Sequence, residues 1–335
     1  MINIGVIGFG YWGPNLVRNF SNVSNAKVVA IAESRQERKS IILKSYPNIT
    51  VYNEAIDLIK DPKIDAVVIA TPVFTHFELA KNALSSGKHV LLEKPMTSNS
   101  SEAQELITLS KRLNLTLMVD HTFLYTGAVN TMKNLILDGE IGKLQYFDST
   151  RINLGLFQSD VNVLWDLAPH DISILKHLIS EKPVSVNATG ISHTQNGIEN
   201  IAYMTINYQS NFIAHFNCSW TSPVKVRSTL IGGDKKMLVY NDLEPSEKIR
   251  VYDTGFKCKN DDEKNRILVD YRVGDIYIPK LETKEALLGV ANDFVDSIDQ
   301  NKEPIASSTL GLEVVEILES AQKSIKLNGK EITLK

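Results

Sequence analysis

Cysteine is scarce in this chain. Two residues in 335, Cys218 and Cys258, are too few for a disulfide framework or a thiolate metal site. A basic tract is missing too, and the formal net charge of −3 gives a nucleic-acid partner no electrostatic footing. The longest apolar runs are strand-sized, far short of the roughly 20 residues of a membrane span. Met1 leads straight into such a run, without the basic n-region of a signal peptide. The expected home is therefore the cytoplasm, with thiols reduced and no membrane partner. The histidines form no HxxxH or HxH pair, so no metal is expected, and no GxSxG elbow appears. What remains is an ordinary soluble composition, 43% apolar and 22% charged, at a length that suits two domains.

The start of the chain, MINIGVIGFGYWG, is an apolar run broken by Gly8, Gly10 and Gly13. Ile2, Ile4, Val6 and Ile7 suit a buried parallel strand. Each glycine has a steric reason if a dinucleotide pyrophosphate lies there. Gly8 makes the tight turn, Gly10 lets the backbone approach the phosphates, and Gly13 lets the helix pack on the strand. Pro14 fits a helix start. Three glycines alone also make a plain turn, so the continuation matters. A second strand, AKVVAIAE, ends in Glu33, twenty residues past Gly13, where an acidic residue holds the adenosine ribose. A carboxylate there repels a 2′-phosphate, so the expected cofactor is NAD before NADP. Arg35 and Arg38 follow closely enough to stack on adenine or tolerate a phosphate.

Strand and helix signals alternate through the first third, which reads as βαβ units and a parallel sheet. Beyond a helix near Ala128 to Leu137, strand signals run in series, among them KLQYFDSTRIN, NIAYMTINY and FIAHFNCSWT. Tight connections such as Tyr208 to Phe212 join neighbours as hairpins. Two helices, about Lys284 to Asp299 and Thr309 to Leu327, close the chain. The expected fold class is α/β, a Rossmann domain over residues 1–120. It is followed by an α+β domain over residues 121–335 with a large open, mostly antiparallel sheet. An open sheet must cover its outer face, and a homodimer or homotetramer is the expected means.

Three stretches carry candidate chemistry. Glu93-Lys94-Pro95 ends a parallel strand, where open α/β sheets place ligands, and the proline restricts the backbone that aims Lys94. In WDLAPHDIS, Pro169 can begin a helix whose first turn holds His170, and the positive helix end would keep that imidazole neutral and ready to accept a proton. Asp166 would orient the ring or bond the substrate, or serve as an N-cap. His121, Thr122 and Tyr125 follow the last strand of the first domain and could hydrogen-bond a polyol or simply pack; His177 reads as structural. Thr71-Pro72 ends another strand beside the cofactor. His76, a cofactor contact or a surface cap, follows it, and Tyr11, Trp12 and Glu93 complete the expected cofactor set. Lys225, Arg227 and Arg151 are candidate partners for a substrate diphosphate.

GFGYWGPN, ATP at 70–72, EKP at 93–95 and the D-x-x-x-H of Asp166 and His170 together resemble the glucose-fructose oxidoreductase, inositol dehydrogenase and MocA family over essentially the whole chain. The resemblance implies NAD(P)-dependent oxidation or reduction at a sugar or cyclitol carbon. It implies that Lys94 bonds the reacting oxygen, that His170 is the general base and that Asp166 assists. YWGPNLVRNF and HTFLYTGAV resemble the branch acting on C3 of nucleotide-linked sugars in polysaccharide or deoxysugar synthesis. Asp120 departs from that pattern, where a glycine is frequent. A myo-inositol or free-sugar dehydrogenase is the alternative enzyme, and a non-catalytic dinucleotide-binding regulator the alternative from another class.

Overall fold

The computed structural model describes residues 1–155, 157–258 and 269–334. The chain divides into two compact units, one of residues 1–126 with 284–319, the other of 127–283 with 320–335.

The first unit is built on strands β1 (Ile2–Ile7), β2 (Ala26–Ala32), β3 (Thr50–Tyr52), β4 (Ala66–Ile69), β5 (His89–Leu92) and β6 (Leu117–Val119). They pair in parallel in the order β3-β2-β1-β4-β5-β6, the doubly wound arrangement whose order reverses between β1 and β4. The helices between them are α1 (Gly13–Phe20), α2 (Gln36–Ser45), α3 (Ala55–Lys60), α4 (His76–Ser85) and α5 (Ser100–Leu113). Ile4, Val6, Val67, Val68, Leu91 and Leu92 are buried, as strands covered on both faces require.

The second unit begins with α6 (Gly127–Leu137), β7 (Leu144–Leu154) and α7 (Val163–Leu178). It continues through β8 (Pro183–Ile191), β9 (Ile201–Tyr208), β10 (Ile213–Ser219), β11 (Thr221–Gly233), β12 (Met237–Asn241), β13 (Ile249–Tyr252), β14 (Gly255–Cys258), β15 (Val269–Arg272) and β16 (Ile276–Tyr277). The chain then returns to the first unit with α8 (Ala286–Gln300) and the start of α9 (Ser308–Lys326), whose end belongs to the second unit together with β17 (Ile332–Thr333). The large sheet runs β16-β13-β12-β11-β7-β10-β9-β8-β17, antiparallel except for the β7–β10 pair. β14 and β15 pair antiparallel in a separate two-stranded sheet. Alternation puts Phe147, Ala202, Met204, Ile206, Ala214 and Phe216 on a buried face, and α7 packs on β7, β9 and β10.

The fold class is the expected one, an α/β Rossmann sheet followed by a mostly antiparallel sheet. The boundary differs from a cut at residue 120, because residues 284–319 belong to the first unit. Phe294 of α8 meets Phe20 of α1 edge to face at 6.1 Å, and Glu285 accepts hydrogen bonds from Arg18 and Asn19 at 2.5 and 3.0 Å. A helix returning from the end of the chain thus completes the outer layer of the first sheet.

Candidate active site

In the first unit the glycine loop has the shape the spacing predicts. Gly8 sits at φ +93°, where a Cβ would stand 2.5 Å from the Ala70 carbonyl oxygen. A Cβ on Gly13 would lie 2.3 Å from the Gly8 carbonyl oxygen, so helix and strand approach as closely as expected. At Gly10 the nearest neighbour is the guanidinium of Arg35 at 3.6 Å, which leaves the space a diphosphate needs. α1 has Pro14 in its first turn and no side chain capping it; the Asn15 and Leu16 amides donate to the Trp12 carbonyl oxygen at 2.9 and 3.1 Å, so what the helix start offers an anion is chiefly its positive dipole end. Tyr11 is exposed and Trp12 half-exposed, and they meet edge to face at 5.5 Å beside this loop. These residues fit a bound dinucleotide, held by the loop, by the α1 N-terminus and at the end of β2.

Glu33 ends β2 and is buried. Its Oε2 accepts hydrogen bonds from the Phe9 N–H and Arg35 Nη2, both at 2.9 Å, and Oε1 accepts from the Arg35 N–H and Nε–H, both at 3.0 Å. Burial by itself would raise its pKa, but these donors and the Arg35 charge outweigh it and bring the carboxyl down to about 2.

At the carboxyl ends of β4, β5 and β6 stand Thr71, Glu93-Lys94 and Asp120-His121. The register pairs Leu92 with Val119, so Glu93 and Asp120 are adjacent strand ends. The Lys94–Pro95 peptide is cis. Burial raises the pKa of both carboxyls, that of Glu93 further through the Asp120 charge, while Lys94 opposes both shifts. Asp120 accepts from the Thr122 hydroxyl at 2.7 Å. His121 is 1% exposed with no hydrogen-bond partner on either ring nitrogen, and burial followed by the Lys94 charge lowers its pKa to about 3.

His76 is not a surface cap. As the first residue of α4 it is buried, with Nδ1 2.9 Å from the Pro95 carbonyl oxygen and Nε2 2.8 Å from that of Thr71, so it ties together the ends of β4 and β5. Tyr125 directs its hydroxyl to Asp293 at 2.7 Å and accepts from the Ala306 N–H at 3.1 Å, which ties it to α8 and the segment that follows.

In the second unit α7 starts earlier than Pro169 suggests. Asn162 is the N-cap, its side chain accepting from Leu164 and Trp165 amides at 3.1 and 3.2 Å. Asp166 therefore lies in the first turn and is not the cap, Pro169 is internal, and His170 is the eighth helical residue. The dipole argument for a neutral His170 lapses, since that field fades beyond the first turn. Asp166 and His170 still share a face at i and i+4. Trp220, which the motifs did not single out, donates its indole N–H to Asp166 Oδ2 at 2.9 Å. Arg151 is buried on the helix-facing side of β7, with Nε and Nη2 donating to Asp171 at 2.8 and 2.6 Å. Arg227 pairs with Asp242 at 3.0 Å.

Among the described residues no cluster of His, Cys, Asp and Glu could hold a metal ion, and no helix is long and apolar enough to cross a membrane.

Fold and site together define an NAD(P)-binding oxidoreductase. Residues 2–121 match the family model described as "Oxidoreductase family, NAD-binding Rossmann fold", and residues 129–239 match "GFO/IDH/MocA C-terminal domain". The chain belongs to the Gfo/Idh/MocA family. It is 27% identical to the uncharacterized oxidoreductase YdgJ of Escherichia coli, over 96% of each chain. It is 28% identical to the UDP-N-acetylglucosamine 3-dehydrogenase of Acidithiobacillus ferrooxidans over 61% of this chain and 63% of that one. The solved structure of UDP-N-acetylglucosamine 3-dehydrogenase GnnA from that organism superposes with a TM-score of 0.82 at 21% identity, covering 97% and 98% of the two chains; at that identity the likeness is one of fold.

Proposed function

We propose that this chain transfers hydride between NAD(P) and C3 of a nucleotide-linked sugar. The observation that carries the reading is the strand end Glu93-Lys94, beside Asp120 and the buried His121, on the same sheet as the open glycine loop. When bound, the nicotinamide supplies a hydride acceptor or donor for the carbon bearing the reacting oxygen. Lys94 stabilises the negative charge that develops on that oxygen as its proton leaves. His170 takes the proton on a ring nitrogen, and Asp166, held by Trp220, orients the group it meets. In the reverse direction His170 returns the proton while Lys94 polarises the ketone.

The name of the Acidithiobacillus relative supports the nucleotide-sugar branch. A myo-inositol 2-dehydrogenase of Thermotoga maritima, 25% identical over 56% of this chain, supports a cyclitol as the second reading. The proposal includes self-association through the outer face of the large sheet, where Ile191, Tyr203 and Ile213 are exposed.

The test is a panel of UDP-sugars, free sugars and cyclitols, each offered with NAD or NADP and followed by reduced-nicotinamide absorbance. Turnover of a nucleotide sugar with a 3-keto product is expected. Turnover of cyclitols alone would select the second reading, and inertness toward the whole panel would overturn both.

A further inference from the structure

We propose that Arg35 selects the cofactor by competing with the adenosine ribose for Glu33, so that the site takes the 2′-phosphorylated dinucleotide as well as the plain one. This rests on the dinucleotide reading of the first unit. An ionised carboxylate offers about four lone-pair sites. At Glu33 four donors already fill them, three from Arg35 and one from the Phe9 amide. A ribose diol approaching Glu33 finds no free acceptor and must first displace the guanidinium. The guanidinium can leave, because the Arg35 side chain is 49% exposed whereas that of Glu33 is 4% exposed.

The same pair changes the electrostatics of phosphate recognition. A lone carboxylate at the end of β2 repels a 2′-phosphate, but here a guanidinium cancels that charge at hydrogen-bond distance. Arg35 also stands at the place of passage. Its Nη2 would be 3.6 Å from a Cβ on Gly10, so the planar fork lies between the glycine loop and Glu33. Turned from Glu33 toward a phosphate, that fork can donate two parallel hydrogen bonds. Glu37 also attracts it, more weakly than Glu33.

Loss of Arg35 should therefore affect the two cofactors in opposite directions. A diol gains a vacant carboxylate, while a 2′-phosphate loses its partner and meets a bare negative charge. The measurement is calorimetric titration of the full-length protein with NADH and NADPH, for wild type, Arg35→Ala and Arg35→Gln, with thermal melts to verify folding. For the wild type, the two dissociation constants should lie within about tenfold of each other, and NADPH binding should weaken more steeply with salt. Arg35→Ala should bind NADH several-fold more tightly and NADPH at least about tenfold more weakly. Arg35→Gln, which keeps a donor toward Glu33 without the charge, should lose NADPH while holding NADH near the wild-type value. Equal weakening of both cofactors in folded variants, or an unchanged ratio, would overturn the inference. Failure of the wild type to bind either dinucleotide would overturn the underlying reading instead, and this one with it.

Discussion

The indole N–H of Trp220 donates to Oδ2 of Asp166 across 2.9 Å. Trp220 is almost wholly buried between β10 and β11, and its backbone is pinned on both sides, N–H to the Asn200 carbonyl and carbonyl to the Gly155 N–H. A ring fixed this way fixes the carboxylate it touches, one helical turn before His170. Trp220→Phe keeps an aromatic ring and removes the donor together with part of the ring volume. A hydrogen bond to a charged group contributes about 1.5–3 kcal/mol, so kcat should fall roughly tenfold or more. Dinucleotide affinity should stay unchanged. Steady-state kinetics with circular dichroism as the folding check would measure this, and an unchanged kcat would remove Trp220 from the positioning role.

If His170 is the base and Lys94 the oxyanion partner, their removal should differ in kind from damage to the cofactor loop. General acid–base help is worth about 10²–10⁴ in rate, so His170→Ala should lose kcat on that scale and keep its NADH affinity. Lys94→Ala should lose at least as much. Single-turnover rates and cofactor titrations on both variants separate the two effects. Full turnover in His170→Ala would exclude it as the base.

Much of the first sheet could be read from the chain because its signals are local. The glycines at 8, 10 and 13 and the acid at 33 lie within one βαβ unit, and each has a steric or hydrogen-bonding reason for its spacing. The place of α8 was not legible, since the pairing of Phe294 with Phe20 joins positions far apart in sequence. Two helix-start signals compete ahead of His170. Pro169 resembles a first helical residue, but Asn162 lies just ahead of the apolar run VLW and caps it, and that signal was available. The burial of Arg151 was legible too, in the period-two series Phe147, Ser149, Arg151, all on the buried face of β7. Charge hid it, because a buried arginine is expected only with a partner, and Asp171 lies on another element.

Glu33 sets an acid limit on stability. Its folded pKa, about 2, lies below the ordinary glutamate value of 4.5, so the unfolded chain binds the proton more tightly. The contribution is complete above pH 4.5 and is lost as pH falls toward 2. Glu33→Gln should lower the unfolding free energy at neutral pH by up to about 3 kcal/mol, with the difference shrinking in acid. Urea melts of both proteins across that range test the sign.

The Glu93 and Asp120 carboxyls act in the opposite direction. Burial raises both, so the folded state holds their protons more tightly than the unfolded chain does. Their contribution is complete below the ordinary carboxylate range and declines as pH rises through the raised values. Asp120→Asn removes one charge from the pair and lets Glu93 ionise more easily beside Lys94. The variant should therefore lose less stability than wild type between about pH 5 and 9. Thermal midpoints recorded over that interval would show converging or parallel curves, and parallel ones would contradict the assignment.

Arg151 offers a direct separation of structure from substrate contact. Its guanidinium and the Asp171 carboxylate are both buried and joined by two hydrogen bonds, so neither can lose its partner cheaply. Arg151→Met or Asp171→Leu alone strands a buried charge and should cost about 3–5 kcal/mol. Making both changes removes the two charges together and fills the space with apolar atoms. That replacement is often neutral or stabilising, so the double variant should recover most of the lost stability. Its KM then decides the role. A guanidinium that only braces β7 against α7 can be removed this way with KM nearly unchanged, whereas one that holds a substrate phosphate cannot. Recovery of the melting midpoint with a KM raised more than about tenfold would restore Arg151 to the substrate site.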